Sequence, residues 1–219
     1  MGKKARISTM RVLACGDIHC KTWIIDAVKK KVDRYDGIVF VGDYADDWNS
    51  DALDSMATWD KLYSLQQEYP NKIHLVCGNH DYIYAHKTPT LQSGYNRITQ
   101  IAVDSPANKY IKDWLLSLPV KLELDGVTFS HAGLSRGWDG GTDVLDLWND
   151  NSPLWVRPGW GEYLETPQVF GHTPQTTCTE LYPNIWCIDT HSTYSDGNSI
   201  GDNTCLQIID GKKFKKVRL

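Results

Sequence analysis

Five short pieces of this chain carry aspartate, asparagine or histidine in a repeated setting. They are Gly16-Asp17-Ile18-His19, Gly42-Asp43-Tyr44-Ala45-Asp46, Gly78-Asn79-His80-Asp81, Ser130-His131-Ala132-Gly133 and Phe170-Gly171-His172-Thr173-Pro174. Such side chains bind ligands and move protons. One Asp-x-His means little, because both residues cap turns routinely. Five pieces in order, each just past an apolar strand-like run, are not explained by turn chemistry alone.

The elements that must position them follow from the apolar pattern. Arg11–Cys15 reads as a buried strand, residues 22–31 as an amphipathic helix with Thr22 as its cap, and 37–41 as a second strand. A helix over 51–69, closed by Pro70, precedes a third strand over 72–76. This β-α-β-α-β order predicts parallel strands, which bind ligands at their carboxyl ends, where the first three pieces lie. Residues 82–106 show no period and carry two prolines and Gly94, so they read as an excursion over the site, a lid. A helix over 107–117 follows, ended by Pro119. Beyond it come short strands at 120–124, Val127–Ser130, Gln168–Phe170, 185–188, Thr204–Ile209 and 214–217. Asp210-Gly211 between the last two is a hairpin signal. A βαβ half followed by a strand-rich half predicts two packed sheets flanked by helices.

Composition sets the outer bounds. The 219 residues, 41% hydrophobic and 23% charged, suit one globular domain rather than a disordered or fibrous chain. No apolar run approaches the length of about 20 residues that a membrane helix needs. A net charge of −4 gives no bulk attraction to nucleic acid or anionic membrane. The basic start Met1-Gly2-Lys3-Lys4-Ala5-Arg6 is not followed by a signal core, so a soluble, cytoplasmic protein is expected. Six scattered cysteines without a CxxC pair read as buried, reduced thiols. Trp138, Trp148, Trp155 and Trp160 mark an aromatic-rich irregular segment packed on the core. The basic residues from Lys212 to Arg218 read as the solvated face of an edge hairpin.

The five pieces together resemble the calcineurin-like metallophosphoesterase superfamily, and within it the phosphoprotein-phosphatase branch. That branch includes Ser/Thr protein phosphatases, small bacterial and phage phosphatases, and diadenosine tetraphosphate hydrolases. Ile188-Asp189-Thr190 and Leu154-Trp155-Val156-Arg157 resemble less specific pieces of the same branch. The resemblance runs from about Arg11 to the C-terminus. It implies a single α/β domain, a four-layer α/β/β/α sandwich of two mixed sheets. It also implies two divalent metal ions, manganese first, with iron and zinc as the alternatives. Asp17 and His19 would hold the first metal, Asp43 would bridge both, and Asn79, His131 and His172 would complete the second. A hydroxide held between the metals would attack phosphorus in line. His80 would protonate the leaving oxygen as general acid, Asp46 would orient it, and Arg157 would bind the substrate phosphate.

Two departures bear on the substrate. Pro174 stands where phosphodiesterases of the superfamily carry a second histidine, which favours the protein-phosphatase branch. Asp47-Trp48 stands where that branch carries arginine and glycine, so an acid replaces the phosphate clamp. At an effective dielectric near 20, a charge about 7 Å away is worth about 2 kcal/mol, and the sign change doubles it. Arg97 and Lys87 are candidate substitutes, although solvated surface charge is the commoner role. The expected substrates are therefore a phosphorylated protein or, alternatively, a dinucleoside polyphosphate or other nucleotide. An inactive phospho-binding scaffold is the third reading, and the complete ligand set and His80 weigh against it. His74 and His86 match no ligand position, while His191 stands where the family commonly has glycine and reads either as lining the site or as an ordinary turn histidine.

Overall fold

The computed structural model describes residues 9–88, 93–141, 149–159 and 162–219. The basic start, Trp148, Trp160 and part of the expected lid lie outside these residues. Among the described residues, ten strands form two five-stranded mixed sheets. In the first, β1 (Arg11–Cys15), β2 (Gly37–Phe40) and β3 (Ile73–Leu75) run parallel. β9 (Thr204–Ile209) pairs antiparallel with β1, and β10 (Lys213–Arg218) forms the edge. The second has β5 (Val127–Ser130), β6 (Gln168–Phe170) and β8 (Ile185–Cys187) parallel. Its antiparallel edges are β4 (Lys121–Leu124) and β7 (Thr179–Tyr182).

Residues of the inner strands are apolar at successive positions because each sheet buries both faces. Val12, Ala14, Val39, Val41, Phe129, Val169 and Leu206 meet between the sheets. Their alternates Leu13, Cys15, Ile38 and Phe40 pack under the helices, against Ile24, Val28, Trp59, Leu62 and Trp114. These belong to α1 (Thr22–Lys29), α2 (Ala52–Glu68) and α5 (Lys109–Ser117). Full burial of each such side chain is worth about 1.5–3 kcal/mol. The outer face of the second sheet is covered by Ala132, Val156 and Tyr163 against Phe170 and Cys187. All six cysteines are free thiols, and five are buried. No described helix is long and apolar enough to cross a membrane.

The structure corrects the sequence reading in three places. Thr22 is the first residue of α1 rather than its cap; Lys21 caps it without a side-chain hydrogen bond. The β7 strand was not anticipated, because Thr-Glu-Leu-Tyr is too short and polar to register. Residues 82–106 are not periodless loop. They contain most of α3 (Asn79–His86), which Lys87 ends in a left-handed conformation (φ 53°), and α4 (Arg97–Asp104), whose N-cap Asn96 accepts from Ile98 N at 2.8 Å. The periodicity of α4 misleads because Ile98 and Ile101 face solvent while Thr99 and Val103 are buried. The β10 lysines are exposed on the sheet edge as expected, and Asp210 (φ 52°) and Gly211 (φ 60°) take left-handed conformations in the three-residue connection, where Lys212 N donates to Ile209 O at 3.2 Å.

Candidate active site

Each of the five pieces leaves the carboxyl end of a parallel strand: β1, β2, β3, β5 and β6. Since the two sheets stack, four of these ends supply side chains to one cavity of about 530 Å³, and His131 after β5 lies buried behind its wall against Asn79 and His172. His19, Asp43, Asp46, Asn79, His80, Arg157 and His172 line it. The turns are sharp: His19, Asp43, Asp46 and His172 all have positive φ (44–65°). A left-handed conformation at a non-glycine residue costs about 1–3 kcal/mol, and it persists where packing over-determines it. Here the glycines allow the close approach. A Cβ on Gly171 would lie 1.9 Å from Asp17 Oδ1, and one on Gly78 would lie 2.0 Å from Asp43 N.

The six residues with a metal-ligand expectation fall into two groups that share Asp43. One places Asp17, His19 and Asp43 ligand atoms within 4.8 Å of one another, and the other does so for Asp43, His131 and His172. In the second group, His131 Nε2 lies 2.7 Å from Asn79 Oδ1, 3.1 Å from His172 Nδ1 and 3.2 Å from Asp43 Oδ2. Asn79 Oδ1 is also 2.9 Å from His172 Nδ1. The His131 Nδ1–H donates to Val41 O at 2.9 Å, which turns the Nε2 lone pair inward. Four electron-pair donors that close repel unless a cation lies among them, so the residues present fit a divalent metal. In the first group, His19 Nδ1 is held by Asp46 O at 2.6 Å, so Nε2 faces Asp17 Oδ2 (3.9 Å) and Asp43 Oδ2 (4.0 Å). The donors are all oxygen or imidazole nitrogen, the set suited to manganese, iron or zinc.

Electrostatics reflect the same crowding. Burial, then the Asp189 and Asp43 carboxylates, push Asp17 well above the usual carboxylate range. Burial would also raise Asp43, yet the imidazoles of His131, His80 and His19 hold it well below that range. Burial, with His131 and Arg157 nearby, drives His172 well below an ordinary imidazole, so its ring is neutral.

His80 and Asp46 form a pair beside these groups. His80 Nδ1 lies 3.0 Å from Asp46 Oδ2, and Tyr84 OH donates to the other oxygen of Asp46 at 2.8 Å. His80 Nε2 faces Asp43 Oδ2 at 4.0 Å. Burial would lower the His80 pKa, but the Asp43 and Asp46 carboxylates raise it above the usual imidazole value. Arg157 Nη1 donates to His172 O and Thr173 Oγ1, both at 3.3 Å, at the cavity wall. Arg97 and Lys87 do not line the cavity, and Lys87 pairs with Asp104 at 3.0 Å. His74, His86 and His191 are not on its wall either. Of the tryptophan segment, Trp155 packs on the core as expected but also lines the cavity, edge-on to His172.

Asp47 departs from its expected effect. Its Oδ2 accepts from Lys21 Nζ at 2.7 Å and its Oδ1 from Thr193 Oγ1 at 2.7 Å. The negative charge is therefore compensated locally, and the repulsion of a substrate dianion is much smaller than the bare charge suggests.

Sequence reasoning missed several supporting residues. Asp81, fully buried, accepts from Trp59 Nε1 (2.8 Å), Tyr44 N (3.2 Å) and Gly78 N (3.2 Å), and thereby fixes the turn carrying Asn79 and His80. Burial and the Asp43 carboxylate push its pKa up to about 7. Tyr84 was hidden in the apparent excursion. Asp189, noted in the sequence only within a less specific piece and given no role, lines the cavity and accepts from Ser192 Oγ at 2.7 Å; its strand-end position after β8 was the available signal. Lys21 carried none.

A family model described as calcineurin-like phosphoesterase matches residues 10–203. Among solved structures, the chain is similar to a cold-active protein-tyrosine phosphatase of a psychrophilic Shewanella species. That match has 20% identity, 95% of this chain and 80% of that one covered, and a TM-score of 0.66. A protein serine/threonine phosphatase from Saccharomyces cerevisiae matches at 16% identity, 96% and 80% coverage and TM-score 0.63. A metallophosphoesterase from Sphaerobacter thermophilus matches at 16% identity, 96% and 89% coverage and TM-score 0.54. At these identities the likeness concerns the fold. A comparison with curated proteins finds no match.

Proposed function

The chain belongs to the calcineurin-like phosphoesterase family of metal-dependent phosphohydrolases, and we propose that it is a phosphomonoesterase most like the small Ser/Thr protein phosphatases. The observation that carries this reading is the convergence of Asp43, Asn79, His131 and His172 on one point, with Asp17 and His19 against the same Asp43. Asp17, His19 and Asp43 would hold one cation; Asp43, Asn79, His131 and His172 would hold the other. A pair of divalent cations supplies charge stabilisation at phosphorus and activates water at neutral pH.

The chain's own residues do the rest. His80 Nδ1–H donates to Asp46, which fixes the ring and turns Nε2 toward the cavity. With its pKa raised by the two carboxylates, His80 keeps a proton at Nε2 for the leaving oxygen. Tyr84 holds Asp46 in turn, and Asn96 N donates to the Tyr84 hydroxyl at 2.8 Å. Arg157, tied to the His172 and Thr173 turn, is placed to bind a phosphate oxygen. The absence of an arginine at position 47 favours a second reading, hydrolysis of a nucleotide, in which phosphate binding relies less on a dedicated clamp.

The test is a panel of phosphopeptides, nucleotides, dinucleoside polyphosphates and diesters, run with added manganese and with metal content measured. Phosphomonoester turnover that follows metal content supports the proposal. Turnover independent of metal, or restricted to diesters, refutes it. Asp43→Asn should lose both metals together, as the shared carboxylate requires.

A further inference from the structure

Two aromatic rings stand on the rim of the cavity with more than half their surface exposed: Trp48 (55%) and Tyr194 (56%). An exposed aromatic side chain is ordinary when it stands alone on a flexible surface. These two are neither alone nor loose. Trp48 Nε1 donates to Thr193 O at 3.1 Å, and Trp48 N donates to Asp47 Oδ1 at 2.8 Å. Asp47 joins Lys21 to Thr193, so the loop after β2 and the loop after β8 are tied by side chains. Tyr194 sits on a tight hairpin, with a Thr193–Ser199 bridge and a Tyr194 N to Asn198 O hydrogen bond of 2.9 Å. The Trp48 ring is thus held by its own indole N–H and the Tyr194 backbone by the hairpin before any ligand arrives, and both residues line the cavity that contains His80.

We propose that Trp48 and Tyr194 form a leaving-group subsite that selects phosphate esters whose leaving group carries an uncharged aromatic ring. The inference rests on the phosphomonoesterase reading and adds the class of leaving group. Charge decides between occupants. Among the described residues of the cavity wall the only lysine or arginine is Arg157, tied to the His172 and Thr173 turn, and Asp47 is already paired with Lys21, so beyond the phosphate at Arg157 a polyphosphate arm finds no second cationic clamp. A neutral planar ring loses little on desolvation and gains stacking against an aromatic platform. The cavity of about 530 Å³ has room for such a group beside the phosphate. A phenolic ring and a nucleobase share this chemistry, and the experiment separates them. Position 48 thus shifts recognition from the phosphate to the group it leaves.

The experiment compares wild type with Trp48→Leu and Tyr194→Leu, both at exposed positions outside the hydrophobic core. The substrates are phenyl phosphate, a nucleoside 5′-monophosphate, and a fluoroalkyl phosphate whose alcohol matches phenol in acidity. The expected result is a rise in KM of about ten-fold for an aromatic ester in Trp48→Leu, with KM for the fluoroalkyl ester changed less than about two-fold and kcat unchanged. If the effect falls on phenyl phosphate alone, the ring is phenolic; if on the nucleotide, it is a base. KM values that move together, or not at all, overturn the subsite. Tryptophan quenching by phenylphosphonate, larger in wild type than the residual signal of Trp155 left in Trp48→Leu, reads binding without turnover. Quenching in a protein that hydrolyses no phosphate ester would uphold the subsite and refute the phosphohydrolase reading. Hydrolysis without quenching would do the reverse.

Discussion

Replacing Lys21 with methionine uncovers the Asp47 carboxylate while keeping a long side chain at the start of α1. In the wild type, Lys21 Nζ sits 2.7 Å from Asp47 Oδ2, so the pair presents little net charge to the cavity. A cavity of about 530 Å³ is about 10 Å across if taken as a sphere, so a phosphate within it lies about 8 Å from a carboxylate on the wall. At an effective dielectric near 20, one uncovered charge at that distance costs about 2 kcal/mol per unit of substrate charge, or about 4 for a dianion. A Debye length of about 8 Å at physiological salt reduces this to about 1.5 kcal/mol. The kcat/KM for phenyl phosphate should fall about ten-fold, and that for a monoanionic diester about three-fold. Both losses should fade near 1 M salt, where the screening length is about 3 Å. The assay is kcat/KM for both substrates across a salt series. A monoester-to-diester ratio equal in variant and wild type at low salt would refute the reasoning. Stability supplies a second readout. Burial would raise the Asp47 pKa, but Lys21 and Thr193 hold it below the usual value. The pair's contribution is therefore present above about pH 4 and is lost as pH falls through the depressed folded value. The variant should be less stable by about 1 kcal/mol at pH 7, and the deficit should shrink by pH 3.

His80→Asn should keep its metal content and slow turnover by about 10²–10⁴ on alkyl esters, but much less on nitrophenyl phosphate; equal losses on both would remove the general-acid role. Asp81→Ala leaves the buried donors of Trp59, Tyr44 and Gly78 without an acceptor and should cost about 3–5 kcal/mol in chemical denaturation, with metal affinity reduced as well. Asp189→Asn keeps an acceptor for Ser192 and removes a buried like charge from Asp17. The metal-free variant should melt at a higher temperature than metal-free wild type, while the gain on adding manganese should be smaller. A lower melting temperature without metal would show that Asp189 is chiefly structural.

Much of the site could be read from the chain because the chemistry is local. A glycine, a polar residue and an apolar strand before them are adjacent in sequence, so Asp17, Asp43, Asn79, His131 and His172 could each be placed at a strand end. The alternation of strand and helix then predicted parallel order, and with it a shared edge. Helices such as α2 announced themselves through Asp51, whose side chain accepts from Leu53 N and Asp54 N, and through Pro70. Where the periodic signal failed, the cause was packing. Ile98 and Ile101 face outward on α4, so its apolar pattern contradicts its burial.

Partnerships between distant residues were decided only in three dimensions. Lys21 and Asp47 are 26 positions apart, and Asp47 and Thr193 are 146 apart; no spacing rule links either pair. The charge of Asp47 could be read from the sequence, but its compensation could not, because an electrostatic effect depends on what lies within a few ångströms. Tyr84 reaches Asp46 across 38 positions, and Asp81 reaches Trp59 across 22. The left-handed conformations of His19, Asp43, Asp46 and His172 likewise belong to the packed state, since nothing in those residue types favours them enough to offset the strain. Residue type and strand-end position determined which groups could do chemistry. The stacking of two sheets determined which of them meet, and which neighbours set their charge.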